Sequence, residues 1–161
     1  MKHFKKVMAV AALSVAGLQI PGSQAASTSS TFDVTINLTS ACQISTLVGV
    51  DFVYTSFQVA ASPGTGGTFN LTCTNQLAYT TGLFAGIVGP TPPGTPTITV
   101  TDAAVNLQYT LTAPTAGTAT GAAQAKTITG TMAGAQTGTC ATATCTNVAS
   151  ANKTQTLYIN F

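Results

Sequence analysis

Residues 31–39 read Thr31-Phe32-Asp33-Val34-Thr35-Ile36-Asn37-Leu38-Thr39. Phe32, Val34, Ile36 and Leu38 alternate with polar residues without a break. A period of two places all four on one side of an extended chain, the pattern of a half-buried β-strand. No other stretch of the sequence alternates so cleanly. Directly before it stands a polar run, Ala26-Ser27-Thr28-Ser29-Ser30. The best strand therefore follows a segment with nothing to bury.

Upstream, Lys2, His3, Lys5 and Lys6 make a basic start to an apolar run over residues 7–20. That run is too short to span a bilayer as a helix. Pro21-Gly22 breaks it, and Ser23-Gln24-Ala25 supplies small residues at a peptidase site. The pattern predicts a signal peptide over residues 1–25 and an exported product. Residues 26–40 then form an N-terminal extension, and residues 41–161 form one domain.

Removing residues 1–25 reverses the charge balance. Lys126 and Lys153 face Asp33, Asp51 and Asp102, so the side chains sum to 2 − 3 = −1. The expected mature chain contains no His, Arg, Glu or Trp. With no Arg, the usual reader of phosphates and base edges is missing, and no nucleic-acid partner is expected. Acid–base catalysis at neutral pH falls mostly to His, Glu, Asp or Lys with tuned pKa values. Three Asp and two Lys scattered along the chain offer little of that. A Ser or Thr nucleophile lacks a His beside it. No catalytic residue, cofactor site or metal site is expected. Thr supplies 32 residues after position 25, and its branched side chain favours pleated strands.

Further strands are expected around Cys42 to Val50, over residues 51–54, 68–73, 77–85 and 97–100, and then over 105–111, 126–132 and 154–161. Pro90, Pro92, Pro93 and Pro96 mark residues 89–96 as a loop. Residues 134–150 read as a small-residue loop carrying two Cys. Many short strands with frequent turns indicate an all-β sandwich or barrel.

Four Cys in an exported chain allow three pairings. A local bridge between Cys140 and Cys145 costs little chain entropy and leaves Cys42 for Cys73. The rival is a tetrathiolate zinc site, which an oxidising compartment disfavours.

Cys42 follows the alternating stretch, and Cys73 closes Thr68-Phe69-Asn70-Leu71-Thr72-Cys73. The sequence ends on Thr156-Leu157-Tyr158-Ile159-Asn160-Phe161. In this order, behind a signal peptide, these features resemble the spore coat protein U-like domain. That domain is found in major subunits of archaic (Csu-type) chaperone–usher pili. The resemblance spans the expected mature chain. It implies an incomplete immunoglobulin-like β-sandwich, completed by a donor strand from a neighbouring subunit. Phe32, Val34, Ile36 and Leu38 would be that donor strand. Leu157, Tyr158, Ile159 and Phe161 would form the strand flanking the acceptor groove, with the Phe161 carboxylate as a chaperone anchor. The implied partners are copies of the chain itself head-to-tail, a periplasmic chaperone, an outer-membrane usher and a possible tip adhesin. The implied location is an extracellular pilus reached through the periplasm, serving adhesion and biofilm formation.

Physics points the same way. An apolar strand at an uncovered edge invites pairing with another chain. An added strand satisfies that edge with main-chain hydrogen bonds, while alternate side chains fill pockets. Other readings stand beside this one. Residues 32–38 could pair within their own domain as an ordinary first strand. The chain could be a spore-coat or surface-layer protein of the same domain family, or a monomeric carbohydrate-binding module. A tip adhesin needs a second domain, for which the chain is too short. Tyr54, Tyr79, Tyr109 and Tyr158 could stack on sugars, but they read first as core or half-buried strand residues, since Tyr is enriched in strands. The sequons at Asn37, Asn70 and Asn152 are discounted in so Thr-rich a chain.

Overall fold

Alternating apolar and β-branched residues, punctuated by Gly and Pro, fold this chain into β-strands. The structure, a computed structural model, describes residues 27–87 and 94–161. The expected signal peptide and most of the Pro-rich loop lie outside them. The strands are β1 (Cys42–Ser45), β2 (Val50–Asp51), β3 (Ser62–Pro63), β4 (Thr65–Gly66), β5 (Thr68–Cys73) and β6 (Ala78–Ala85). They continue with β7 (Thr97–Asp102), β8 (Leu107–Thr112), β9 (Gly117–Thr118), β10 (Gln124–Thr127), β11 (Thr129–Met132) and β12 (Gln155–Asn160). A short 3-10 turn, Ala151–Lys153, stands just before β12, capped by the Ser150 hydroxyl, which accepts from the Asn152 amide. Among the described residues no helix is long and apolar enough to cross a membrane.

The chain divides into two units, residues 1–36 and 37–161. The described part of the first, residues 27–36, carries no strand. In the second, all strand pairing among the described residues is antiparallel. One sheet runs β1-β5-β10, a second β3-β11-β8-β7, a third β12-β6-β9, and β2 pairs with β4. The third sheet touches the second through Leu83 and Thr95, which exchange both main-chain hydrogen bonds at 2.7 and 2.9 Å.

Alternation along these strands builds one core. Phe69, Leu71 and Cys73 of β5 meet Tyr79 and Leu83 of β6, Val100 of β7, Tyr109 and Leu111 of β8, and Met132 of β11. Side chains from three sheets thus share one interior, an all-β arrangement consistent with a sandwich. The cysteines are bridged Cys42–Cys73 and Cys140–Cys145. Cys42 and Cys73 are also register partners across the β1–β5 ladder, so the bridge pins the edge strand where it begins.

The structure departs from the expected strands at several points: residues 31–39 and 52–54 are in no strand, and two further departures have a visible local cause. The single strand expected over residues 126–132 is two strands in different sheets, β10 and β11. The chain changes sheet at Ile128, which is buried and whose amide donates to the Gly67 carbonyl at 2.8 Å. Gly67 has φ +69°, and a Cβ there would stand 2.2 Å from the Ile128 oxygen. Only glycine permits this approach. The strand expected from Cys42 to Val50 also breaks, because Thr46 turns at φ +52°. Residues 46–49 separate β1 from β2.

Candidate functional site: an apolar groove beside an edge strand

β12 pairs with β6 over six residues, Gln155↔Ala85 through Asn160↔Thr80, and among the described residues stands at the end of its sheet. Antiparallel ladders alternate between pairs that exchange hydrogen bonds and pairs that do not. Leu83 spends its N–H and C=O on Thr95, on the far side from β12. Its partner Leu157 is therefore in a non-hydrogen-bonded pair. By the same alternation Gln155, Leu157 and Ile159 turn their main-chain groups to the outer edge, and Thr156, Tyr158 and Asn160 turn theirs to β6.

A groove of about 580 Å³ opens next to this edge. Gln155, Thr156 and Leu157 form one wall, and residues 47–52 with Tyr54 form the other. Its floor is the core itself, made by Leu83, Tyr109, Leu111, Ile128 and Met132. Leu47 and Val48, on the second wall, are half exposed. The interior of the domain is thus open along one side.

One end of the groove is polar. Asp102, 2 % exposed, accepts from the Ala104 and Val105 amides through Oδ1 and from Asn147 Nδ2 through Oδ2. Burial pushes its carboxyl up, but the hydrogen bonds from Asn147, Ala104, Ser150 and Val105 together hold it below its ordinary value. The carboxylate ties the β7–β8 turn to the loop that leads into β12. Nearby, the Tyr109 hydroxyl donates to the Asn152 carbonyl at 2.9 Å and accepts from Gln155 Nε2 at 2.8 Å. Burial raises this phenol above its ordinary pKa; the Gln155 bond works against the rise, and the negative Asp102 adds to it. Both clusters fix the start of β12, and with it the groove wall.

The residues singled out in the sequence fall as follows. Phe32, Val34, Ile36 and Leu38 are 72–85 % exposed, and the segment carrying them has no strand pairing. Leu157 lines the groove, Ile159 packs against the core, and Tyr158 pairs with Gly82 in the ladder. Phe161 lies one residue beyond β12 and is exposed. The wall at residues 47–54 and the Asp102 cluster were not foreseen. The first has no alternation to reveal it. The second depends on Asn147, forty-five residues from Asp102.

Comparison with protein-family models, with curated proteins and with solved structures finds no match to this chain.

Proposed function

We propose that this chain is a non-enzymatic structural subunit of a surface fibre, polymerising as one copy lays residues 32–38 into the groove of the next. The observation that carries the reading is the pairing of two unsatisfied features in one chain. One is a core left open along a groove whose β12 wall turns main-chain donors and acceptors outward. The other is an alternating apolar segment that buries none of its four large side chains. Each is a liability alone, since an exposed strand edge and exposed apolar side chains invite association. Each satisfies the other.

The dimensions suit. Phe32 to Leu38 spans six residue steps, roughly 20 Å when extended, and β12 is six residues long. Burying the four side chains is worth about 6–12 kcal/mol gross, at about 1.5–3 kcal/mol each. Ordering the arm offsets part of that. The contact joins two different surfaces of the chain, so it propagates head-to-tail into a filament.

In this reading the domain is an immunoglobulin-like sandwich lacking its last strand, as the resemblance to chaperone–usher pilins implies. A periplasmic chaperone would cover the groove until an outer-membrane usher exchanges it for the next subunit, and a tip adhesin would cap the fibre. Two disulfides accord with folding in an oxidising compartment. The reading is tested with a synthetic peptide of residues 31–39 added to protein lacking that segment. A saturable rise in Tm supports it, because a ligand that binds only the folded state stabilises that state. No shift at millimolar peptide contradicts it.

A further inference from the structure

Phe57 breaks two rules at once. Its φ is +66°, a left-handed conformation in which a bulky L-residue is an outlier. The residue is also 72 % exposed, in sequence between Val53 at 87 % and Val59 at 92 %. A turn that needed only this backbone would be better served by Gly or Asn.

The conformation is imposed by a network around it. The Phe57 amide donates to the Gln136 carbonyl at 2.9 Å, and the Ser56 hydroxyl donates to the Thr137 carbonyl at 2.7 Å. The Ala135 amide donates to the Gln58 carbonyl at 2.6 Å. The Gln58 side chain accepts from the Thr55 amide and donates to the Ala60 carbonyl, both at 2.9 Å. The two loops lie so close that a Cβ on Gly134 would stand 2.0 Å from the Val59 oxygen. Strain held this firmly, under an exposed aromatic ring, points to a contact outside the monomer.

The position of the loop indicates what it meets. Tyr54 and Val105 line both the groove and a second recess, which Thr55 and Ser56 also line. Asp102, Asn147 and Lys153 line the groove too, and Lys153 ends the turn that leads into β12. The Phe57 loop therefore adjoins the end of the groove where β12 begins. Antiparallel pairing is the commoner geometry, and a strand antiparallel to β12 would leave the groove at that end with Leu38 last. Cys42, four residues on, is fixed to its own body by the bridge to Cys73. Four residues reach at most about 14 Å. The donor's body is held against this pole.

We infer that Phe57 is a body-to-body contact between consecutive copies of this chain, seated on the donor subunit beside the exit of its strand. This rests on the polymer reading above. The chain has no Trp, so Phe57→Trp introduces a single fluorescent reporter at the site. It is compared in assembled fibres and in an Ile36→Asp background that stays monomeric. The expected result is a red-shifted, acrylamide-quenched emission in the monomer and a blue-shifted emission with loss of quenching in the fibre. Phe57→Asn provides a second measure: the monomer melts no lower than wild type, and the fibres bend more than wild-type fibres. An oligomer ladder in which the indole is equally quenched in both states, or Phe57→Asn fibres as straight as wild type, overturns the contact and leaves the polymer reading standing. No ladder from the wild-type chain overturns both.

Discussion

Leu157 stands opposite Leu83 in the β6–β12 ladder, and Leu83 gives both of its main-chain hydrogen bonds to Thr95 on its other side. That arrangement fixes the direction of every main-chain group along β12. Leu157 and Ile159 present theirs at the sheet edge beside an open groove, while their side chains pack against the core. The same strand completes its own sheet and turns the main-chain groups of Leu157 and Ile159 away from it.

Proline separates these two duties, because it lacks the N–H. Ile159→Pro removes a donor that faces outward, whereas Tyr158→Pro removes one that faces β6. The Tyr158 variant is expected to lose about 1–3 kcal/mol of stability, because the facing β6 carbonyl is left without its donor. The Ile159 variant should lose less in chemical denaturation yet fail to form oligomers. A larger loss in the Ile159 variant than in the Tyr158 variant would mean that the alternation has been read in the wrong phase.

The arm is tested by charge. Ile36 is 83 % exposed, so Ile36→Asp should move the monomer's stability by no more than an ordinary surface substitution, within about 0.5 kcal/mol. In an apolar groove the same carboxylate would lack a partner and cost several kcal/mol. Oligomers should therefore vanish from size-exclusion chromatography while the monomer remains folded. Oligomers that persist would remove Ile36 from the interface.

Asp102 gives the domain a pH dependence at its acid end. Its folded pKa is lowered, so the stability it contributes is fully present above the unfolded value of about 3.9. That stability is lost as pH falls through the folded pKa. Asp102→Ala should cost about 1–3 kcal/mol at neutral pH by leaving the Ala104 and Val105 amides and Asn147 without their acceptor. It should also flatten the dependence of the urea midpoint on pH below about pH 3.9, relative to wild type. An unchanged acid slope would assign that slope to other carboxylates.

The bridges should differ in worth. In the chain-entropy account, Cys42–Cys73, with a separation of 31, contributes about 3.5 kcal/mol, and Cys140–Cys145, with a separation of 5, about 2 kcal/mol. Paired Cys→Ala variants measured by urea denaturation should preserve that order. The first pair should lose more still, since Cys73 is buried in the core and its sulfur leaves a gap.

Much of the fold was legible because it rests on local pattern. The phase of Phe69-Leu71-Cys73 and of Tyr79 with Leu83 could be read directly, and both sets are in the core. What escaped is long-range. Nothing local distinguishes a strand over residues 126–132 from two strands that part at Ile128, because the switch is imposed by Gly67, far earlier in the chain. The wall at residues 47–54 was equally hidden. Its residues matter for where they lie beside β12, and short apolar runs do not state their partners. For the candidate site, the alternating Phe32–Leu38 stretch and the strand ending near Phe161 could be named from sequence, whereas the groove between walls required the fold.

In the proposed reading, copies of this chain join by a strand laid non-covalently into a groove, with dissociation slow because it requires unfolding. The most direct measurement is a denaturing gel of protein sheared from producing cells, run unheated beside a boiled sample. Fibres joined in this way should run as a ladder of multiples without heating and as a single band after boiling. A single monomer band in both lanes, from protein confirmed at the cell surface, would contradict it and favour a self-contained binding module.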